Sequence, residues 1–160
     1  MNGTRAVFDC NVYFQALINE EGPAGRCLSA ALHGEIELYI SRFVIDELRR
    51  TGMDLDLRAK FRHITDQRLN RLIANVEKVG RVLAQVPEQF VYERDPDDAH
   101  YVNLALAAAA KFVVSRDNDL LALMDGSRTE GREFRSRFPS LEIVDPKTFL
   151  RILELHRTGS

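Results

Sequence analysis

Lys111-Phe-Val-Val-Ser115, followed at once by Arg116-Asp-Asn-Asp119, is an apolar run that ends in acid. A short apolar run bounded by polar residues reads as a buried strand. Near the start of the chain Arg5-Ala-Val-Phe-Asp9 has the same shape, with Ala6-Val-Phe8 as the strand and Cys10-Asn11-Val12 beyond the acid. Each of these strands hands over to the next segment of chain through a carboxylate. In open parallel sheets ligands bind outside the carboxyl ends of the strands, so Asp9, Asp117 and Asp119 are expected to converge there.

The remaining segments work outward from these two strands. Gly22-Pro23 breaks the chain, and residues 24–32 read as a helix with Cys27, Leu28, Ala31 and Leu32 inward, stopped by His33-Gly34. Residues 36–40 alternate as a strand and run into Ser41, an N-cap for a helix through Arg50. Residues 66–79 place Leu69, Leu72, Ile73, Val76 and Val79 at steps of three and four, the single apolar stripe of an amphipathic helix that Gly80 ends. Residues 82–86 make a further strand. Asp95-Pro96 opens an Ala-rich helix to about Ala110, apolar nearly all round and therefore buried. A helix over 118–124, a loop over 126–131, a strand over 141–144 and a helix over 146–155 with Pro146 in its first turn complete the pattern. Strands alternating with helices predict an α/β fold with a mostly parallel sheet flanked by helices.

At 160 residues the chain suits one domain, residues 1–160, with about 156–160 as a loose tail. Apolar residues are 45% and charged residues 29%, ordinary for a soluble globular protein. No apolar stretch approaches the roughly 20 residues needed to span a bilayer, so no membrane partner is expected. Met1-Asn-Gly-Thr-Arg5 lacks the layout of a signal peptide, and Cys10 and Cys27 form neither a metal spacing nor a disulfide framework. A cytoplasmic location is the simplest expectation. The net charge of −2 argues against an indiscriminately basic nucleic-acid binder, yet an acidic cluster can mask a local basic surface.

Two more acids join the set: Glu47 in Ser41-Arg-Phe-Val-Ile-Asp-Glu-Leu48, and Asp98 in Arg94-Asp-Pro-Asp-Asp-Ala99. Each has an alternative reading. Asp95-Pro-Asp-Asp98 resembles a capping box, Asp117 can cap the helix after it, Asp9-Cys-Asn11 can form a turn, and Glu47 can be a solvated partner of Arg50. One explanation covers all of them: converging carboxylates repel unless a cation sits between them. All-oxygen ligands select hard cations, so Mg²⁺, one or two ions, is expected. His33, His63, His100 and His156 show no zinc spacing, although His100 is close enough in sequence to touch the site.

Phe8-Asp-Cys-Asn-Val12, Ile40 to Leu48, Arg94 to Ala99 with Leu104-Ala-Leu-Ala107, and Val113-Val-Ser-Arg-Asp-Asn-Asp-Leu-Leu121 resemble, in order, the signature blocks of PIN-domain ribonucleases. Ile143-Val-Asp-Pro-Lys-Thr-Phe-Leu150 resembles the closing segment of the toxin-like subgroup of that family. The resemblance covers essentially the whole chain. It implies a three-layer α/β/α fold, Mg²⁺ or Mn²⁺, and hydrolysis of single-stranded RNA by a metal-activated water. It also implies a small antitoxin partner and homodimerisation. On these blocks Asp9, Glu47, Asp98 and Asp117 match the acidic quartet that is both catalytic and metal-holding, with Asp119 as a further metal position and Asn11 and Ser115 as accessory residues. Asp98 is preferred over Asp97 because it directly precedes Ala99. Cys10 stands where a Thr is usual, and in an extended strand its side chain points away from Asp9.

Neither Cys10 nor Ser115 has an evident His partner, so covalent catalysis has little support. Substrate contacts fall to Arg42, Arg49, Arg50 and Arg116, within wider groups that include Arg58, Lys60, Arg62, Arg68 and Arg71 and, in a later loop, Arg128, Arg132, Arg135 and Arg137. Two other readings remain open: a catalytically inactive module of the same fold that binds RNA or protein, and a phosphotransferase with Asp9 as nucleophile. The latter class wants a second Asp two residues on, where this chain has Asn11.

Overall fold

The computed structural model describes residues 3–159. Five strands, β1 (Thr4–Phe8), β2 (Ile36–Ser41), β3 (Arg81–Leu83), β4 (Phe112–Val114) and β5 (Glu142–Val144), form one sheet in the order β3-β2-β1-β4-β5. Every pairing is parallel. The helices are α1 (Cys10–Ile18), α2 (Pro23–Leu32), α3 (Arg42–Gly52), α4 (Leu55–Lys60), α5 (Asp66–Val79), α6 (Ala99–Ala108), α7 (Asn118–Leu121), α8 (Thr129–Arg137) and α9 (Pro146–Thr158), with a 3-10 turn at Ala122–Met124. This is the α/β architecture that the alternation of elements predicts.

Successive residues of a strand point to opposite faces, and Ala6, Val7 and Phe8 are all buried, so β1 is covered on both sides. On one face Phe8 meets Tyr13 of α1 and Phe149 of α9, and Phe112 of β4 packs on the same Phe149 ring. Val7 and Val113, paired in register and fully buried, face the other way. Helix α6 lies against β1, β2 and β4. The strand order reverses direction at β1: β2 and β3 lie on one side, β4 and β5 on the other. The carboxyl edge between β1 and β4 is such a switch point, where a crevice forms.

Several local expectations change. α1 begins directly after β1 because the Asp9 carboxylate accepts from the N–H groups of Asn11 at 2.7 Å and Val12 at 3.3 Å. Cys10 is therefore helical, not extended. α6 starts at Ala99 rather than at Asp95-Pro96, since Asp98 N–H closes a turn onto the Asp95 carbonyl at 3.1 Å. It stops when Ala109 turns left-handed at φ 52° and Ala110 N–H reaches the Ala105 carbonyl at 2.8 Å. β3 ends at Leu83; the later segment is held to α6 instead, where the Asn103 side-chain oxygen accepts from Gln89 and Phe90 N–H. The loop expected over 126–131 passes into helix α8 at Thr129. The tail expected over 156–160 is helical through Thr158, and Arg157 Nε donates to Glu35 at 2.9 Å; Ser160 lies outside the described residues.

Candidate active site

Asp9 caps α1 at the end of β1 and is 3% exposed. One carboxylate oxygen takes the Asn11 and Val12 N–H groups, and the other accepts from the Ser115 hydroxyl. Ser115 sits just past β4 and is fully buried. Its oxygen in turn accepts from Asp117 N–H at 2.9 Å. The Asp117 carboxylate caps α7 by accepting Asp119 N–H at 2.7 Å, and Tyr92 donates to the Asp119 carbonyl at 2.8 Å. A chain of bonds thus runs across the crevice from Asp9 through Ser115 and Asp117 to Asp119.

Asp98 approaches from the start of α6 and is 8% exposed. Its Oδ2 is buried and has no hydrogen-bond partner among the described residues. The carboxylates of Asp95, Asp98, Asp117 and Asp119 lie within 4.8 Å of one another. Asp9, Asn11, Glu47, Asp98 and Asp117 line one cleft, together with Cys10, Phe43, Arg50, Asp97 and Tyr101. Asp98 and Asp117 belong to both groupings, so every acid expected here is brought to one end of the sheet. Of the two candidates Asp97 and Asp98, it is Asp98 whose side chain is buried.

The electrostatics follow from this crowding. Burial, then the charges of Asp117 and Asp95, push Asp98 up to about 8. Burial also raises Asp9, against the opposing pull of its hydrogen bonds to Ser115, Asn11 and Val12. The Cys10 thiol is pushed up to about 12, mainly by burial, so it stays protonated and is no nucleophile. Ser115 already uses its hydroxyl as donor to Asp9 and acceptor for Asp117. The donor set is all oxygen, and one member is an orphaned buried carboxylate oxygen; a hard divalent cation fits that set.

The basic residues divide. Arg50 lines the cleft and pairs with Glu47. Arg42 and Arg49 do not reach the cleft; both turn to Glu77 of α5, at 3.6 and 3.5 Å. Arg116 lines a separate groove with Lys147, Asn118 and Gln15. Arg58 pairs with Asp66 and Arg68 with Glu20. Arg132, Arg135 and Arg137 are helical in α8, not in a loop, and donate to the carbonyls of Gly126, Met124 and Gln89. His100 stays off the acids: its Nε2 is 2.7 Å from the Ser41 hydroxyl and burial lowers its pKa.

Three site residues escape the sequence patterns. Asp95 reads as a cap, yet its carboxylate joins the metal-sized cluster. Cys10 is turned into the cleft by the helical start of α1, and Tyr101, whose hydroxyl accepts Cys10 N–H at 3.2 Å, has no pattern that marks it. The only available signal for Asp95 is that it is the first acid of a run holding three in four residues.

A family model described as "PIN domain" matches residues 5–119, from β1 through the last acid of the cluster. The chain is also similar to the uncharacterized protein MJ1680 of Methanocaldococcus jannaschii, 26% identical over 150 residues that span 94% of this chain and 92% of that one.

Proposed function

The chain belongs to the PIN domain family, and on that premise we propose that it is a metal-dependent endoribonuclease acting on single-stranded RNA, the toxin of a toxin–antitoxin pair. The family is generally one of metal-dependent nucleases, and the acidic cluster is in place. The observation that carries the reading is Asp98, a buried acid clustered with three others, whose Oδ2 has no hydrogen-bond partner among the described residues. Burial and the charges of Asp117 and Asp95 hold Asp98 up to about 8, and a cation in the cluster is what would let it ionise.

In this reading Asp98, Asp117, Asp119 and Asp95 hold Mg²⁺ or Mn²⁺, with Asp9 and Glu47 on the cleft side. The bound ion supplies an activated water and stabilises charge as the phosphodiester is hydrolysed. Ser115 fixes the Asp9 carboxylate, and the N–H groups of Asn11 and Val12 hold it in one orientation. Glu47 keeps Arg50 over the cleft, where its guanidinium can meet a phosphate. Asn11, where that class wants a second Asp, weighs against Asp9 as a phosphotransferase nucleophile. The toxin assignment, with its small antitoxin and homodimer, is supported by the likeness of residues 143–150 to the toxin-like subgroup.

Cleavage of a labelled single-stranded RNA by wild type and Asp98→Asn, purified in parallel, tests the reading. Cutting that needs Mn²⁺ or Mg²⁺, stops in EDTA and is lost in the variant is expected. Equal cutting by both proteins, or none by either, counts against it. Growth arrest on expressing wild type but not D98N is the expected result for a toxin.

A further inference from the structure

Phe43 is 47% exposed, although the neighbours on its helix, Val44, Ile45 and Leu48, are buried. Phe43 and Glu47 stand four residues apart on α3, so they share a face, and both line the acidic cleft. A lone exposed ring is ordinary on a protein surface. This one is braced. Its centroid lies 4.5 Å from that of the His100 ring, inclined by 44°. His100 is tied to the Ser41 hydroxyl at 2.7 Å, and Ser41 caps the same helix by accepting Val44 N–H at 3.1 Å. The ring is therefore set in place before any ligand arrives, which lowers the ordering cost of using it.

We propose that Phe43 is a stacking platform for an unpaired nucleobase, seating the strand whose phosphate meets the acids. The proposal rests on the nuclease reading of the cleft. A cleft lined by acids attracts a phosphodiester poorly, and Arg42 and Arg49, the nearest cations on the helix besides Arg50, are turned to Glu77. A base face supplies attraction that needs no positive charge and tolerates any sequence. Bases inside a duplex have both faces covered, so the platform selects single strands.

Fluorescence anisotropy of a labelled, mixed-sequence single-stranded oligoribonucleotide, and of the same strand in a duplex, tests this with the full chain in Ca²⁺. Phe43→Ala is expected to weaken single-strand binding by roughly 5- to 150-fold, with Phe43→Trp near wild type and Phe43→Leu close to the alanine variant. Duplex binding should barely change. F43A or F43L binding the single strand like wild type overturns the proposal, as does a wild type that binds neither form. Cleavage of the same strand in Mn²⁺ is read separately. No cleavage with ring-dependent binding intact fails the nuclease reading and leaves the platform; cleavage with ring-independent binding does the reverse.

Discussion

Asp98 concentrates the chemistry of the cleft in one side chain. Its folded pKa is about 8, against an unfolded carboxylate near ~3.9. Between those values the native state holds a proton that the unfolded chain has released. The contribution is fully favourable below about pH 4 and is lost as pH rises to about 8. In EDTA, therefore, thermal melting of the wild type should fall relative to Asp98→Asn as pH is raised from about 5 to 8. Parallel curves for the two proteins would show that Asp98 carries no such burden. At this scale the sequence located Asp9, Asp117 and Asp119 at the carboxyl edge of the sheet, because an acid closing an apolar run marks the end of a strand. It was a poor guide to Asp95 and Cys10. A cap and a ligand look alike in sequence, and which way Cys10 points depends on where a helix starts.

The elements show where periodicity informs and where it fails. α5 is legible because Leu69, Leu72, Ile73 and Val76 make one buried stripe. α1 is not: Cys-Asn-Val-Tyr-Phe-Gln-Ala-Leu-Ile is apolar on most sides and rich in strand-favouring residues, and its start is marked only by the Asp9 cap. α8 is hidden by its glycine. Gly131 is in that helix because a Cβ there would stand 2.0 Å from the Asp125 carbonyl oxygen, so the residue marks a close approach and not a break. Gly131→Ala should destabilise the protein by about 1–3 kcal/mol in chemical denaturation, where an alanine in an unobstructed helix would stabilise. A gain in stability would mean that α8 moves freely off Asp125. The arginine-rich helices likewise spend part of their charge on intramolecular pairs: Arg42 and Arg49, both half-exposed, turn to Glu77 of α5, so a count of basic residues overstates the charge free for a nucleic acid.

For the whole molecule the parallel sheet was legible, because strands and helices alternate along nearly all of the chain. The strand order was not, since no local pattern states which strands become neighbours. A cation that binds only the folded cluster must raise the melting temperature. At about 100 times its dissociation constant the gain is ~2.7 kcal/mol, or roughly 5–11 °C for a chain of this size. Differential scanning fluorimetry with Mn²⁺ should show that shift in wild type and little of it in Asp98→Asn; equal shifts would place the ion elsewhere. The order of the sheet also has a temporal meaning. The bond from Ser115 to Asp9 joins residues 106 positions apart. On a ribosome β1 and β2 emerge well before β4, so Asp9 waits in solvent, hydrated and far from the acids that will crowd it. The cluster closes only once the chain through Asp119 has left the exit tunnel. If the cleft cuts RNA as proposed, a nascent chain carries its parts past the message that encodes it without being able to assemble them.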